Sequence, residues 1–293
     1  MKKNPSKRCA FLTMDSLQNY HNYDALLERP LAQLGWKTQL VSWHDKTVDW
    51  NLFDVVLIRS TWDYQSDPAR FLKVLQRIQR SSAQLENALP LVQWNINKRY
   101  LRDVQEAGFT IVPTLWPDDL QANRLADFFA KLQCAEIVLK PLISANADNT
   151  FRLSAGQALQ RFPQLQAAFN GRPFMLQPFM QAIIDEGEFS LFFFGGKYSH
   201  TVLKKPAAGD FRVQEEHGGI LQKVNPEPEL LTLATRLNQW LHPAPLYSRL
   251  DFVRSQNGFA IMEIELIEPS LYFNLDSESP QRFARAFEQW MTR

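Results

Sequence analysis

Residues 249–267 read RLDFVRSQNGFAIMEIELI, and this stretch decides the fold of the last third of the chain. Charged and apolar residues alternate on both sides of the sequence SQNG, which is typical of two antiparallel strands joined by a tight turn. A three-residue loop over residues 256–258, with its glycine in the left-handed conformation, pairs Ser255 with Phe259. The stretch therefore predicts a hairpin within a sheet that has one polar face.

The predicted register of this hairpin places charged side chains opposite one another. Asp251 lies opposite Glu263, and Arg249 lies opposite Glu265, so all four side chains share one face of the sheet. A two-residue turn would shift the register by one residue and divide the acids between the two faces. The other predicted face is apolar and consists of Leu250, Phe252, Met262, Ile264 and Leu266.

The charged face has two interpretations that the residues alone leave open. Alternating apolar and charged residues are the ordinary pattern of a half-solvated sheet. Three carboxylates on one patch, however, repel one another unless cations neutralise them. Arg249 can neutralise one carboxylate, and a hard divalent cation, for which Mg²⁺ is the common choice beside phosphates, can neutralise the rest. The second interpretation makes Asp251, Glu263 and Glu265 candidate metal ligands.

The first third of the chain alternates predicted strands and helices. Asp67 and Pro68 are the expected N-cap and first residue of one helix, and Gly35 is the expected end of another. This rhythm predicts an open parallel sheet with helices on its faces. The short apolar runs that predict its strands are residues 9–14, 38–43, 53–58 and 89–94.

Two polar clusters follow predicted strands of this sheet. Asp15 and Ser16 follow the first strand, and residues 59–64, RSTWDY, follow the third. Ligands of α/β proteins bind at the carboxyl ends of the strands, so both clusters are candidate substrate sites. A capped, solvated loop is the alternative for the second cluster. The candidate substrate residues are Asp15, Arg59, Thr61 and Asp63.

The rest of the chain predicts smaller mixed elements and then antiparallel strands. Gly195 and Gly196 form the expected hairpin turn between two strands, and a long loop over residues 206–219 contains Arg212. The predicted helices are residues 95–107 and 125–132 and two that begin at Pro228 and Ser279. The predicted strands are residues 111–116, 136–141, 174–179, 188–194, 197–203, 246–254 and 259–267.

Length, charge and cysteine content exclude several classes of protein. A chain of 293 residues predicts two or three packed domains. With 32 basic and 31 acidic residues it lacks the positive excess of a dedicated nucleic-acid binder. Cys9 and Cys134 form no CxxC pair. The apolar stretch after the basic start Met1–Lys3 is too short for a signal sequence, and no run approaches the ~18 residues of a membrane span. We therefore expect a cytoplasmic protein.

Several short motifs occur in an order that resembles the ATP-grasp superfamily of carboxylate–amine ligases. Residues 97–101, NKRYL, resemble the N-K-x-x-L helix start of that family, and residues 138–141, VLKP, resemble its V-x-K-P strand. The resemblance implies that Lys98 and Lys140 approach the phosphates of ATP. Two such lysines, together with divalent ions, would neutralise a triphosphate.

The remaining motifs of the resemblance lie in the last two fifths of the chain. Residues 176–179, LQPF, resemble the hinge whose backbone holds adenine, and Glu188 is similar in position to the carboxylate that contacts ribose. Residues 249–251, RLD, and 262–265, MEIE, resemble the R-x-D and E-x-N elements that hold magnesium and the transferred phosphoryl group. The implied ligands are ATP and two Mg²⁺ ions, with Mn²⁺ as an alternative. The implied ATP contacts at the hinge are Gln177, Pro178 and Phe179.

The sequence departs from the family pattern at two places. The glycine-rich lid loop of the family corresponds to residues 144–150, SANADNT, which contain no glycine. Small side chains there can still let backbone N–H groups approach a phosphate. The usual asparagine of the metal pair is Glu265, which either binds the metal with one more negative charge or pairs with Arg249.

Three segments resemble the O-ureidoserine cyclo-ligase type within the superfamily, and glutathione-synthetase-like ligases share the general plan. The resemblance implies an N-terminal α/β substrate domain over residues 1–95, a central lid domain over 96–179, and a C-terminal antiparallel-sheet domain with the metal site over 180–293. ATP would lie between the last two. The three segments are residues 59–64, 205–212 and 265–270.

The implied reaction assigns further roles. ATP phosphorylates a substrate carboxylate, and a nitrogen nucleophile, of the same molecule or of a second one, displaces phosphate to form an amide-type bond. Arg249 would stabilise the developing charge, while Arg212 and Arg59 would hold a carboxylate or phosphate. The loop around Arg212 would close over the acylphosphate.

The expected partner is a small amino acid or amino-acid derivative, with no nucleic acid and no membrane. The family often forms homodimers, so a homodimer is a further expectation. A nucleotide-binding regulatory or scaffold protein with little turnover is the alternative function. The glycine-free lid loop and Glu265 favour that alternative, whereas the complete set of Lys98, Lys140, Asp251 and Glu263 favours the ligase.

Overall fold

The structure of the protein is a computed structural model, and it describes residues 7–293, so the basic start Met1–Lys3 lies outside the described residues. Its first sheet is parallel, as predicted, with the spatial order β2-β1-β3-β4. The strands are β1 (Lys7–Thr13), β2 (Trp36–Ser42), β3 (Val55–Ser60) and β4 (Gln84–Glu86). The helices of this region are α1 (Glu28–Gln33), α2 (Pro68–Gln79) and α3 (Leu89–Asn95).

Local signals predicted helix α2 correctly, but the prediction of a strand over residues 89–94 was wrong. The Asp67 carboxylate accepts a hydrogen bond from the Arg70 amide at 3.0 Å and caps α2. Residues 89–94 form most of α3, and the fourth strand is the shorter β4 before it. A short apolar run carries no period that separates a buried strand from a buried helix, and Pro90 suits the first helical turn.

The central region contains a small antiparallel sheet with the order β6-β5-β7. The predicted strand over residues 111–116 was wrong, because this segment makes only isolated bridges from Ile111 to Ile261 and from Leu115 to Leu176. The predicted helix over 95–107 is shorter than expected. The elements are α4 (Tyr100–Glu106), α5 (Leu125–Leu132), β5 (Glu136–Pro141), β6 (Phe151–Ser154), α6 (Ala155–Gln160), α7 (Phe162–Phe169), β7 (Phe174–Pro178) and α8 (Ala182–Asp185).

The last region is a five-stranded antiparallel sheet with the order β10-β9-β8-β11-β12. Gly195 and Gly196 both have positive φ angles, 56° and 81°, and form the predicted turn between β8 and β9. Strand β10 was not predicted. The elements are β8 (Glu188–Phe194), β9 (Lys197–Lys205), β10 (Ile220–Val224), α9 (Pro228–Trp240), β11 (Tyr247–Ser255), β12 (Gly258–Glu265) and α10 (Ser279–Met291).

The hairpin of β11 and β12 has the predicted acidic register but not the predicted turn. Arg249 pairs with Glu265 and Asp251 with Glu263, whereas Ser255 pairs with Gly258 around a two-residue turn. A bulge after Asp251 restores the register that the shorter turn would have shifted. The prediction that Met262 lies on the apolar face was therefore wrong. The residues of β12 and just beyond it that pack in the core are Phe259, Ile261, Ile264 and Leu266.

Two buried asparagines connect the N-terminal part of the chain to strand β12 and its surroundings. Asn87 donates to the Leu266 carbonyl at 2.7 Å and accepts from the Leu246 amide at 2.7 Å. Asn95 donates to the Ile264 carbonyl at 2.8 Å and accepts from the Leu266 amide at 3.0 Å. Each amide satisfies backbone groups that would otherwise be buried without partners. These contacts hold the parallel sheet in place beside the acidic hairpin.

No helix within residues 7–293 has the length and apolarity that crossing a membrane requires. The domain boundaries predicted at residues 95 and 179 remain predictions.

Candidate active site

A cleft lies where the three sheets approach one another. Its walls carry the predicted lysines, the hinge, Glu188, Arg249, Arg212, Glu263 and Glu265. Apolar residues line another part of the cleft: Val112, Val138, Phe179, Met180, Ile183 and Met262. Residues contributed by or packed against the N-terminal region are Trp62, Tyr64, Ile96, Ile267, Glu268 and Ser270.

The two predicted phosphate-binding lysines both line the cleft, but their partners differ. Lys98 Nζ lies 2.7 Å from a Glu263 carboxylate oxygen and 3.1 Å from the Ser144 carbonyl oxygen. Lys140 ends strand β5 and has no ion-pair partner within 4 Å among the described residues. Burial lowers the pKa of Lys140 despite the nearby Glu263. An unpaired, partly desolvated ammonium is well suited to an anionic ligand.

The hinge combines an apolar wall with backbone groups at the end of strand β7. Gln177 is buried, and its side chain donates to the Thr114 hydroxyl at 3.0 Å. Phe179 follows the strand, and the Arg152 guanidinium lies 3.6 Å from its ring centroid. The ring of Phe211, from the loop over residues 206–219, meets Phe179 edge-on at 6.4 Å between centroids. A flat apolar surface of this kind accepts an aromatic base.

Glu188 is held at the start of strand β8 by a glycine and by a buried lysine. Gly187 has a φ of +122°, and a Cβ there would lie 2.8 Å from the Lys204 carbonyl oxygen. Glycine is therefore required for the chain to approach β9 this closely. The Glu188 carboxylate pairs with Lys204, although burial still raises its pKa.

Arg249 joins two of the predicted metal ligands instead of leaving them free. Its guanidinium pairs with Glu265 and lies 3.1 Å from an Asp251 carboxylate oxygen. Asp251 also bonds to the Ser190 hydroxyl and lies 3.6 Å from Lys204. Although burial opposes it, Arg249 and Lys204 lower the pKa of Asp251. The structure places Asp251 behind the cleft wall, whereas Glu263 and Glu265 line the cleft.

Glu265 lies near two further carboxylates of this network. Burial, followed by the neighbouring Asp251 and Glu263, raises the pKa of Glu265 to about 7 despite Arg249. Within residues 7–293, no three His, Cys, Asp or Glu side chains form a cluster that could hold a metal. Mg²⁺, however, commonly uses one or two carboxylates together with substrate phosphates. Glu263 and Glu265 fit that requirement, while Asp251 does not reach the cleft.

The lid loop adopts left-handed conformations without glycine. Asn146, Ala147 and Asn149 have φ angles of 51°, 54° and 49°. Asparagine tolerates this region better than most residues, which explains part of the replacement. Ser144, Ala145, Asn146, Ala147 and Thr150 all line the cleft.

A second loop, over residues 206–219, covers the cleft and contacts the N-terminal region. Arg212 lines the cleft and pairs with Asp210 at 2.7 Å. The Tyr23 hydroxyl donates to Glu215 at 3.0 Å, which joins this loop to the segment before α1. A Cβ on Gly219 would lie 2.1 Å from the Val213 carbonyl oxygen, so the loop requires glycine there.

The predicted substrate residues of the N-terminal region do not line the cleft. Arg59 is 2% exposed and donates two hydrogen bonds to one carboxylate oxygen of Asp24, from Nε at 3.0 Å and from Nη2 at 2.8 Å. Thr61 is fully buried, and Asp63 accepts hydrogen bonds from Trp43 and contacts His44. Asp15 bonds to Ser42. Of the predicted acceptor residues, only Arg212 faces the cleft.

Three side chains at this end of the cleft were not predicted. Trp62 and Tyr64 belong to the polar cluster of residues 59–64, in which Arg59, Thr61 and Asp63 were the predicted substrate residues. Glu268 lies three residues beyond the predicted metal pair. The sequence pattern offered only weak signals for them, because which residue of a loop faces a cleft depends on the packing around it.

The sequence resembles known proteins over nearly its whole length. A model of the prokaryotic glutathione synthetase ATP-grasp domain matches residues 110–276, and a model of the N-terminal domain of D-cycloserine synthetase DcsG matches residues 9–87. The cycloserine biosynthesis protein DcsG of Streptomyces lavendulae is 30% identical over 270 residues, which cover 87% of this chain and 89% of that protein.

Solved structures extend this likeness to the fold. The crystal structure of D-cycloserine synthetase DcsG has a TM-score of 0.85 and 27% identity, and the match covers 97% of this chain and 99% of that chain. A D-alanine–D-alanine ligase from Bacillus anthracis complexed with ATP shares the fold, with a TM-score of 0.69, 12% identity and 98% of each chain covered. The chain therefore belongs to the ATP-grasp superfamily and is an ATP-dependent carboxylate–amine ligase.

Proposed function

We propose that this ligase closes a ring within one amino-acid derivative, so that the activated carboxylate and the attacking nitrogen belong to the same molecule. The observation that carries this proposal is the likeness to D-cycloserine synthetase in the N-terminal region as well as in the ATP-grasp region. The residues expected to bind ATP do not determine which acid is the substrate. The N-terminal region forms the opposite end of the cleft and can contribute that specificity. O-Ureidoserine is the first substrate to test.

ATP would enter with its base against the apolar part of the cleft and its phosphates toward the two lysines. The hinge would hold the base with a flat wall and backbone groups, which come from Gln177, Pro178 and Phe179. The Glu188 carboxylate, on the same cleft, would contact the ribose. Lys98 and Lys140 would neutralise phosphate oxygens. When ATP binds, the Lys98 ammonium would weaken its ion pair with Glu263 and contact a phosphate oxygen.

The proposed chemistry balances in two steps. A substrate carboxylate oxygen attacks the γ-phosphorus of ATP, the bond from that phosphorus to the bridging oxygen breaks, and ADP leaves. The nitrogen then attacks the acyl carbon, the acyl carbon–oxygen bond breaks, and phosphate leaves while the nitrogen loses a proton. Arg249 would stabilise negative charge that develops on the transferred group, and Arg212 would hold the acylphosphate under its loop.

Glu263 and Glu265 would hold Mg²⁺ together with phosphate oxygens of ATP. Their position on the cleft wall and the raised pKa of Glu265 support this role, because a divalent cation stabilises the ionised form of neighbouring carboxylates. When bound, the ion would draw charge from the phosphates during transfer. Arg249 would turn toward the phosphoryl group when Glu265 binds the ion.

An assay of ADP release tests the proposal. The purified protein is given ATP, Mg²⁺ and either enantiomer of O-ureidoserine, and the products are identified by mass spectrometry. Ring closure predicts a product from a single amino-acid molecule whose yield is not changed by a large excess of a second amino acid. A product that contains both amino acids would make this an intermolecular ligase. Tight ATP binding without ADP release, for any acid in a panel, would favour the alternative of a nucleotide-binding regulatory protein.

A further inference from the structure

The charged groups of the cleft are almost all paired within the protein. Lys98 pairs with Glu263 at 2.7 Å, Arg249 with Glu265, and Arg212 with Asp210 at 2.7 Å. Glu188 pairs with Lys204, behind the cleft wall. Glu215 accepts from the Tyr23 hydroxyl, and Glu216 from the His21 amide at 3.3 Å.

Two charged side chains of the cleft stand apart from this pattern. Lys140 and Glu268 have no hydrogen-bond or ion-pair partner for their charged groups among the described residues. Lys140 lies near Lys98 and Glu263, where the phosphates of ATP are expected. An unpaired carboxylate in a partly buried cleft is costly unless a ligand supplies its partner. Glu268 therefore calls for a cation at another point of the same cleft.

Glu268 lies beside the aromatic residues of the N-terminal region. The Trp62 indole N–H donates to the Glu268 backbone carbonyl at 2.9 Å, which fixes this loop against the parallel sheet. Tyr64, two residues further along, lines the same cleft. A carboxylate next to Trp and Tyr rings is a common environment for an organic ammonium, since ion pairing and cation–π attraction act together.

We propose that Glu268 binds the α-ammonium group of the amino-acid substrate and so selects amino acids over simple carboxylic acids. This inference rests on the proposed function, because it assigns the acceptor end of the same cleft. The ammonium at Glu268 would turn the substrate carboxylate toward the phosphates near Lys140.

The test compares two probes that differ only in the ammonium group. They are the enantiomer of O-ureidoserine that the enzyme uses and its deamino analogue, 3-(ureidooxy)propanoic acid. Kinetics and ligand-induced thermal shifts, the latter with ADP and Mg²⁺ present, are measured for the wild type, Glu268→Gln and the matched control Glu216→Gln. The wild type should prefer the amino compound, and Glu268→Gln should raise the KM for it about tenfold to a hundredfold while the deamino compound is bound as before.

Each outcome decides the inference. Loss of the preference in Glu268→Gln, with the preference kept in Glu216→Gln and the KM for ATP unchanged, supports it. The inference is overturned if the thermal shifts show that the wild type binds both probes equally or binds neither. This holds even if another acid supports ADP release. A higher Mg²⁺ requirement in Glu268→Gln, with the preference intact, would instead make Glu268 a metal ligand. If the wild type releases no ADP with any acid, the proposed function fails separately.

Discussion

Lys98 Nζ lies 2.7 Å from the carboxylate of Glu263, so a lysine before α4 and an acid of β12 form one ion pair across the cleft. Although burial opposes it, Lys98 and then Lys140 lower the pKa of Glu263 and keep it ionised. An ionised carboxylate beside two lysines is suited to hold Mg²⁺ together with the phosphates of ATP, which is the role proposed for Glu263. The pair therefore links the proposed nucleotide site to the proposed metal site.

Glu263→Gln should raise the Mg²⁺ concentration needed for half-maximal ADP release, because the variant removes one charged oxygen ligand. We expect a shift of about tenfold or more, which corresponds to about 1.4 kcal/mol. Steady-state rates measured over a Mg²⁺ series at saturating ATP provide the test. An unchanged Mg²⁺ dependence in both Glu263→Gln and Glu265→Gln would remove the two residues from the proposed metal site.

Asp251→Asn tests the role of the third predicted metal ligand through the stability of the protein. The sequence suggested that removing its charge relieves repulsion, whereas in the structure Asp251 pairs with Arg249 and Lys204. The variant should therefore lower the melting temperature, since breaking a buried pair costs about 3–5 kcal/mol. A higher melting temperature would show that repulsion dominates.

Lys140→Met should leave the protein folded, abolish turnover and weaken ATP binding. Lys140 has no ion-pair partner among the described residues, so its loss breaks no internal pair. Removing a cation that meets a phosphate in a partly buried site costs about 1.5–3 kcal/mol of binding free energy. ADP release and calorimetric ATP binding are measured beside Lys131→Met, an exposed lysine of α5. Wild-type ADP release by a folded Lys140→Met protein would remove the residue from the site.

Arg59→Met should act on stability more than on substrate binding. Arg59 is buried against Asp24 and also donates to the Pro269 carbonyl at 3.2 Å. Losing one partner of this pair costs about 3–5 kcal/mol, and the double variant with Asp24→Asn should cost less than the sum of the single ones. Urea unfolding of the three variants measures this. A stable Arg59→Met protein with a raised KM for the acid would support the original prediction of direct substrate contact.

His200 should make stability depend on pH in a defined window. Its ring is 1% exposed and stacks on Phe192 at 4.3 Å, and burial lowers its pKa to about 4. The unfolded chain, with an ordinary pKa near 6.5, binds the proton first, so stability is complete above about pH 6.5 and falls as the pH drops toward 4. The full loss is about 3 kcal/mol.

His200→Gln should remove much of this slope in urea unfolding between pH 4 and 6.5. The exposed His242 supplies the control, His242→Gln, which should keep the wild-type slope. Equal slopes in all three proteins would exclude a neutral, buried imidazole as the cause.

The sequence alone determined those parts of the protein that depend on local signals. Helix α2 follows from Asp67 and Pro68, the turn between β8 and β9 follows from two glycines, and the family motifs placed Lys98 and Lys140 on the cleft. Caps, turns and strand alternation act over a few residues, so a short stretch of sequence carries the whole physical cause. The family resemblance placed Lys98, Lys140 and the hinge on one cleft, and their contacts with ATP remain predictions.

Tertiary structure decided what depends on partners distant in the chain. The apolar run that forms α3 has no period of its own, and the bulge after Asp251 reconciles a two-residue turn with the acidic register. Arg59 was expected to face a ligand but is paired with Asp24, 35 residues away, and the Glu268 carboxylate has no partner within residues 7–293. Whether a charge is paired internally or left for a ligand depends on which side chains folding brings within a few ångströms, and no local pattern encodes that distance.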